Sequence, residues 1–242
     1  MSAENDSALA SGQLALVTGA GSGIGRAIAL ALAGEGLGLV LVGRDRLKLE
    51  AVAGEIGTPT RIVAADLATE AGIGTVAEAV GERLDVMVHC AGAYLRDPAA
   101  SVSADAWRAM DEINVRAPIL LVGRCLAQLR AAQGQVVFIN STAALSAPSP
   151  GLSAYAASKH ALKAAVDVLR QEVNAERIRV LSIFPGRTDT PMQSAILAAE
   201  GRSAGPRTLM RPDDIAAMVI AALRLPRTAE VTDIVMRPMR PL

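Results

Sequence analysis

Short, unbroken apolar runs alternate along the chain with longer segments whose apolar residues recur every three or four positions. The runs fall at 13–19, 37–43, 60–66, 85–92, 134–140, 178–184 and 231–236. Between them, 24–35, 45–56, 69–83, 104–130, 154–175 and 213–223 carry the helical period. Apolar strands separated by helices need cover on both faces, which predicts an α/β fold with a parallel sheet between two helical layers. No linker, composition break or internal repeat divides residues 1–242, so one domain is expected. The least regular interval, from Pro185 to Arg211, follows a strand and suits either a substrate flap at 186–211 or a loose surface connection.

Composition narrows the class. Hydrophobic residues make up 51% of 242 and charged residues 20%, which excludes disorder and leaves enough for a sizeable core. Twenty-four basic residues balance 24 acidic ones, so nothing in the net charge favours nucleic acid or an anionic membrane as partner. Two cysteines, Cys90 and Cys125, make no disulfide framework. The polar, acidic start is unlike a secretory or transit leader, and the longest apolar run falls well short of the about 20 residues a membrane helix needs. A soluble cytoplasmic protein is the expectation.

The first strand runs directly into Thr18-Gly19-Ala20-Gly21-Ser22-Gly23-Ile24-Gly25 and then a helix. Glycine lets backbone N–H groups approach a pyrophosphate at the positive end of a helix dipole, so strand, glycine turn and helix together point to a dinucleotide. The second strand ends in Gly43-Arg44, with no acid at its tip to accept from a ribose. Arg44 therefore favours NADP(H) over NAD(H), with Arg46 a weaker candidate for the same 2′-phosphate; Asp45 reads as a helix N-cap.

Tyr155 and Lys159 lie four apart on one helical face, where an ammonium lowers the pKa of a neighbouring phenol and suits it to proton exchange with an alcohol or carbonyl. In isolation the spacing is more often that of a surface pair. His89, ending a buried strand, reads as a packed and hydrogen-bonded core residue, and His160 as non-catalytic. No His/Cys spacing makes a metal site, and Ser141 lacks a nucleophile elbow, so hydrolase chemistry is disfavoured.

In order, these residues resemble a classical short-chain dehydrogenase/reductase over nearly the whole chain, Leu14 to Pro238. Thr18–Gly25 is similar to the family's TGxxxGIG loop, Ala91-Gly92 to the end of its NNAG segment, and Tyr155 to Lys159 to YxxxK. Asp66, with Leu67 beside it, matches the acid at the adenine, Asn114 and Ser141 the active-site asparagine and serine, and Pro185, Gly186 and Thr188 the nicotinamide segment. The resemblance implies a single-domain Rossmann fold, doubly wound on seven parallel strands, and direct hydride transfer. In it Tyr155 exchanges the proton, Ser141 orients the carbonyl oxygen, Lys159 holds the nicotinamide ribose and depresses the tyrosine pKa, and Asn114 positions a water toward Lys159. The family's paired asparagines are His89 and Cys90 here, which implies altered bracing of the strand end.

The carboxyl-terminal segment 229–238 resembles the branch of NADP-dependent hydroxy-acid and small-alcohol dehydrogenases. A small or moderately hydrophobic alcohol and its ketone or aldehyde are therefore favoured, ahead of a 3-oxoacyl thioester reductase, an NAD-dependent alcohol, sugar or steroid dehydrogenase, or a silent dinucleotide sensor. The expected pocket lining is Ala143, Ala144, Leu145, Tyr94, Leu95, Met192 and Leu209, mostly apolar. Arg96 and Arg187 could meet a carboxylate or phosphate there, surface exposure being the ordinary fate of each. A homodimer or homotetramer built on the helices at 104–130 and 154–175 is also implied.

Overall fold

The computed structural model describes residues 8–146, 150–205 and 208–239; the amino-terminal segment 1–7 and residues 206–207 of the expected flap lie outside them. Seven strands, β1 (Leu14–Thr18), β2 (Gly38–Gly43), β3 (Thr60–Ala64), β4 (Val86–His89), β5 (Gln135–Ile139), β6 (Arg179–Pro185) and β7 (Asp233–Met236), form one sheet in the order β3-β2-β1-β4-β5-β6-β7. Every pairing is parallel. The order reverses between β1 and β4, where a parallel sheet opens a crevice beyond its carboxyl ends.

Side chains alternate across the sheet and feed two cores. Ala15, Val17, Leu39, Leu41, Val86, Val88 and Ile183 enter one, beneath α1 (Gly23–Gly34) and α9 (Pro212–Leu223), with Leu49 and Val52 of α2 (Arg46–Ala53). Leu16, Val40, Met87, Phe138 and Val180 enter the other, beneath α3 (Glu70–Glu78) and the helices that follow β4 and β5. Apolar runs read without a period in sequence are thus buried on both sides.

Two regions differ from the sequence expectation. The helix expected over 104–130 is α4 (Ala104–Asp111), a π-helical turn at Glu112–Arg116, α5 (Ala117–Arg124) and α6 (Leu126–Ala132). The inserted π turn leaves the apolar pattern nearly intact while re-aiming Asn114. After α7 (Ser153–Val173), the interval expected to be irregular holds α8 (Pro191–Ala199), capped by the Thr190 hydroxyl accepting from Gln193 N at 3.1 Å. A threonine followed by proline is an ordinary helix start, and that signal was present in the sequence.

Candidate active site

The turn after β1 is pressed against the end of β4. Thr18 Oγ1 accepts from Cys90 N and Ala91 N, each at 3.0 Å. Gly19 has φ +66°, and a Cβ there would lie 2.9 Å from Ala91 N. A Cβ on Gly25 would lie 2.3 Å from Gly19 O, so Gly25 is needed for the close approach of helix to turn. Ser22 occupies the N-cap position of α1 without a side-chain cap bond, and the first turn carries no acidic residue. Those N–H groups and the positive helix end fit a pyrophosphate.

From this turn a cavity of about 900 Å³ runs across the sheet's carboxyl edge. Among the sequence candidates, Gly19, Gly21, Ser22, Gly23, Ile24, Arg44, Asp66, Leu67, Ala91, Gly92, Ser141, Tyr155, Lys159, Pro185, Gly186 and Thr188 all line it. Gly25 and Asn114 do not. Asn114 is 1% exposed and clamps the loop after β4: its Nδ2 donates to Ala93 O and Ser158 Oγ, each at 3.0 Å, and its Oδ1 accepts from Ala93 N at 2.9 Å.

At the dinucleotide end, Arg44 is exposed and makes no ion pair among the described residues, whereas Arg46 is paired with Glu50 at 3.4 Å. Asp45 caps α2 as expected, accepting from Lys48 N at 3.2 Å. Asp66 Oδ1 accepts from Ala68 N at 3.0 Å, holding the turn after β3 that places it on the cavity wall.

At the other end Ser141, Tyr155 and Lys159 meet. Burial raises the Tyr155 pKa above its ordinary value, and the Ser141 hydrogen bond opposes that rise. The expected depression by Lys159 is not what governs it: the ammonium lies 5.9 Å from the centre of the phenol ring, and the effect opposing burial is the Ser141 hydrogen bond. Lys159 is itself pushed down to about 8 by burial, with Cys90 opposing. Burial holds the Cys90 thiol at about 12. His89 is stacked on Phe138 with ring centres 4.8 Å apart, and burial lowers its pKa to about 3. It is packed as expected, but the expected hydrogen bonding is incomplete: its Nε2, buried at the ring edge, has no hydrogen-bond partner among the described residues. His160 is exposed, its Nδ1 2.9 Å from Ala156 O.

The substrate end keeps part of the expected lining. Ala143, Tyr94 and Met192 face the cavity, and the Tyr94 ring meets Tyr155 edge-on with centres 5.0 Å apart. Ala144, Leu145, Leu95 and Leu209 are not on its wall; Ala144 is buried beneath the short turn after β5, and Leu145 points outward at 42% exposure. Arg96 and Arg187 line the cavity and converge on Glu200, at the carboxyl end of α8. Glu200 was missed from the sequence, where nothing marks a glutamate 104 residues from its Arg96 partner.

Residues 13–201 match the family described as short chain dehydrogenase. An uncharacterized oxidoreductase of Staphylococcus epidermidis is 31% identical over 231 residues, 94% of this chain and 97% of that protein. An alcohol dehydrogenase from the archaeon Thermococcus sibiricus, solved with 5-hydroxy-NADP, superposes with a TM-score of 0.85 at 25% identity, covering 94% of this chain and 97% of that one. A 3-ketoacyl-(acyl-carrier-protein) reductase from Brucella melitensis, solved with NADH, gives 0.83 at 27% identity, covering 96% and 99%. With a seven-stranded parallel Rossmann sheet and a family match over most of its length, the chain belongs to the short-chain dehydrogenases/reductases, NAD(P)(H)-dependent oxidoreductases of alcohol and carbonyl groups.

Proposed function

We propose that the chain interconverts a small or moderately hydrophobic alcohol with its ketone or aldehyde, preferring NADP(H). The carrying observation is that Ser141, Tyr155 and Lys159 share one wall of the cavity that begins at the glycine turn. Gly19, Gly21, Ser22, Gly23, Ile24, Arg44, Asp66, Leu67, Ala91, Gly92, Pro185, Gly186 and Thr188 would hold a dinucleotide, which when bound would supply or accept the hydride. Tyr155 gives its hydroxyl proton to the carbonyl oxygen during reduction. Burial raises the pKa of that hydroxyl, which suits it to donate the proton in reduction, and the same group takes the proton back in oxidation.

Ser141 donates to the same oxygen as charge develops on it, while its own oxygen is fixed by Ala143 N at 3.1 Å. Lys159 holds the ribose hydroxyls, and Asn114 acts one step back as a positioning residue, fixing the loop that carries Gly92 and Ala93. Segment 186–211 serves as the substrate flap, with α8 its helical part. The protein works as a homodimer or homotetramer.

The test is spectrophotometric turnover with NADPH and NADH in parallel across ketones, aldehydes, oxo acids and 3-oxoacyl thioesters. Tyr155→Phe should lower kcat by about 100-fold or more with NADPH affinity within about twofold of the parent protein. Full activity in that variant would overturn the assignment.

A further inference from the structure

We propose that the carbonyl substrate carries an oxyanion, a carboxylate or phosphate, which docks on Arg96 and Arg187 at the substrate end of the cavity. This rests on the oxidoreductase reading above and adds the chemical class of the substrate.

Three guanidiniums surround one carboxylate. Arg187 reaches both oxygens of Glu200, Nη1 to Oε2 and Nη2 to each, at 3.1 Å; Arg96 Nη1 hydrogen-bonds Oε1; Arg202 Nη1 lies 3.7 Å from Oε2. Glu200 is 9% exposed, and the arginines are 33%, 35% and 45% exposed, so the anion is enclosed while the cations reach solvent. One carboxylate neutralises one of the three charges. It offers about four acceptor sites against about five N–H donors on each guanidinium, so donors remain for a second anion. A planar guanidinium held by a buried carboxylate is also oriented in advance, which suits two-point recognition of an oxyanion.

The cluster's position ties it to the chemistry. Arg96, Arg187 and Glu200 all line the same cavity as Tyr155. Tyr94 stands between, its ring edge-on to Tyr155 and its hydroxyl within the field of Arg96, Glu200 and Arg187. The guanidiniums come from separate segments: Arg96 from the loop after β4, beside Gly151, where an added Cβ would lie 3.2 Å from the Arg96 Cγ, and Arg187 from the turn after β6. A substrate whose carbonyl meets Tyr155 and Ser141 extends its far end toward them.

Matched pairs of charged and neutral carbonyl compounds test this. Suitable probes are 4-oxopentanoate with its methyl ester, 3-oxobutanoate with its ethyl ester, and dihydroxyacetone phosphate with dihydroxyacetone. The charged member of at least one pair should show kcat/KM tenfold or more above its neutral partner. Arg96→Gln should erase that advantage while leaving the neutral partner's kcat/KM and the NADPH dissociation constant unchanged. Carboxylate pairs against the phosphate pair distinguish the two oxyanions. Neutral partners reduced equally well or better in every pair, or an advantage surviving Arg96→Gln, would overturn this inference and leave the carbonyl-reductase reading standing. Reduction of no member of any pair would instead count against that reading. Calorimetric binding of 4-oxopentanoate, 3-oxobutanoate and dihydroxyacetone phosphate to parent and Arg96→Gln protein would then decide the oxyanion site by itself, saturable binding lost in the variant supporting it and binding absent or unchanged overturning it.

Discussion

Lys159 shows how burying a charged side chain on a cavity wall costs stability. It is 5% exposed, and burial lowers its pKa from 10.5 to about 8. Between those values the unfolded chain keeps a proton that the folded chain sheds, so this lysine makes stability rise with pH across that window. Below pH 8 its full penalty is present, up to about 3 kcal/mol. Lys159→Met, similar in volume, should therefore stabilise the protein at pH 7 and lose that advantage as pH approaches 10.5. Urea denaturation at three pH values reads this; no gain at pH 7 would place the ammonium in a hydrated setting. Arg44 makes the opposite case, an exposed residue whose proposed role lies in the 2′-phosphate it would meet. Arg44→Ala should weaken NADPH about 10- to 100-fold and leave NADH nearly unchanged, as read by fluorescence titration. Equal weakening of both would mean that Arg44 does not recognise the 2′-phosphate. The residue type of each was legible in sequence, but the balance between burial and neighbouring charge at Tyr155 was not, because it depends on how completely α7 and the loop after β5 close around the phenol.

Among the elements, the pair of glycines in α3 separates packing from propensity within one helix. A Cβ on Gly72 would lie 2.0 Å from Asp66 O, whereas nothing lies within 4 Å of one on Gly74. Gly72→Ala should destabilise by about 1–3 kcal/mol and weaken dinucleotide binding, since α3 cannot relax without moving the Asp66 turn. Gly74→Ala should stabilise by about 0.5–1 kcal/mol through helix propensity alone. Denaturant midpoints and cofactor titration of both variants check the contrast, and equal effects would contradict it. The sequence revealed the strands and most helices because each is buried by a continuous or periodic apolar pattern. It hid the π turn around Asn114, which shifts the helical phase without changing composition. It also extended the fourth strand too far: after His89 the backbone leaves the sheet to bond Thr18 and Asn114, and apolar Cys90 and Ala91 read as strand all the same.

On the scale of the whole molecule, the monomer buries its own core and still leaves large apolar side chains open. Trp107 on α4, Leu120 on α5 and Val168 on α7 are 45%, 39% and 55% exposed; α5 and α7 cover the same face of the sheet, and α4 packs against α7. The inward residues of these helices, Met110 on α4, Leu121 on α5, and Leu162 and Val166 on α7, are already buried, so the outward ones add nothing to the monomer's own core. Their burial between copies would place α7, which carries Tyr155 and Lys159 in its first two turns, inside an interface. Association would then stabilise the catalytic helix by mass action. Val168→Asp replaces an exposed residue, which in a monomer changes stability by no more than about 0.5 kcal/mol. In a homo-oligomer it puts a charge into a desolvated contact. Sedimentation equilibrium should therefore give a dimer or tetramer mass for the parent chain and a smaller mass for Val168→Asp, with unchanged circular dichroism and a melting temperature that no longer depends on protein concentration. A monomeric parent chain at micromolar concentration would overturn the expectation; an oligomer indifferent to Val168→Asp would place the interface elsewhere than on α7.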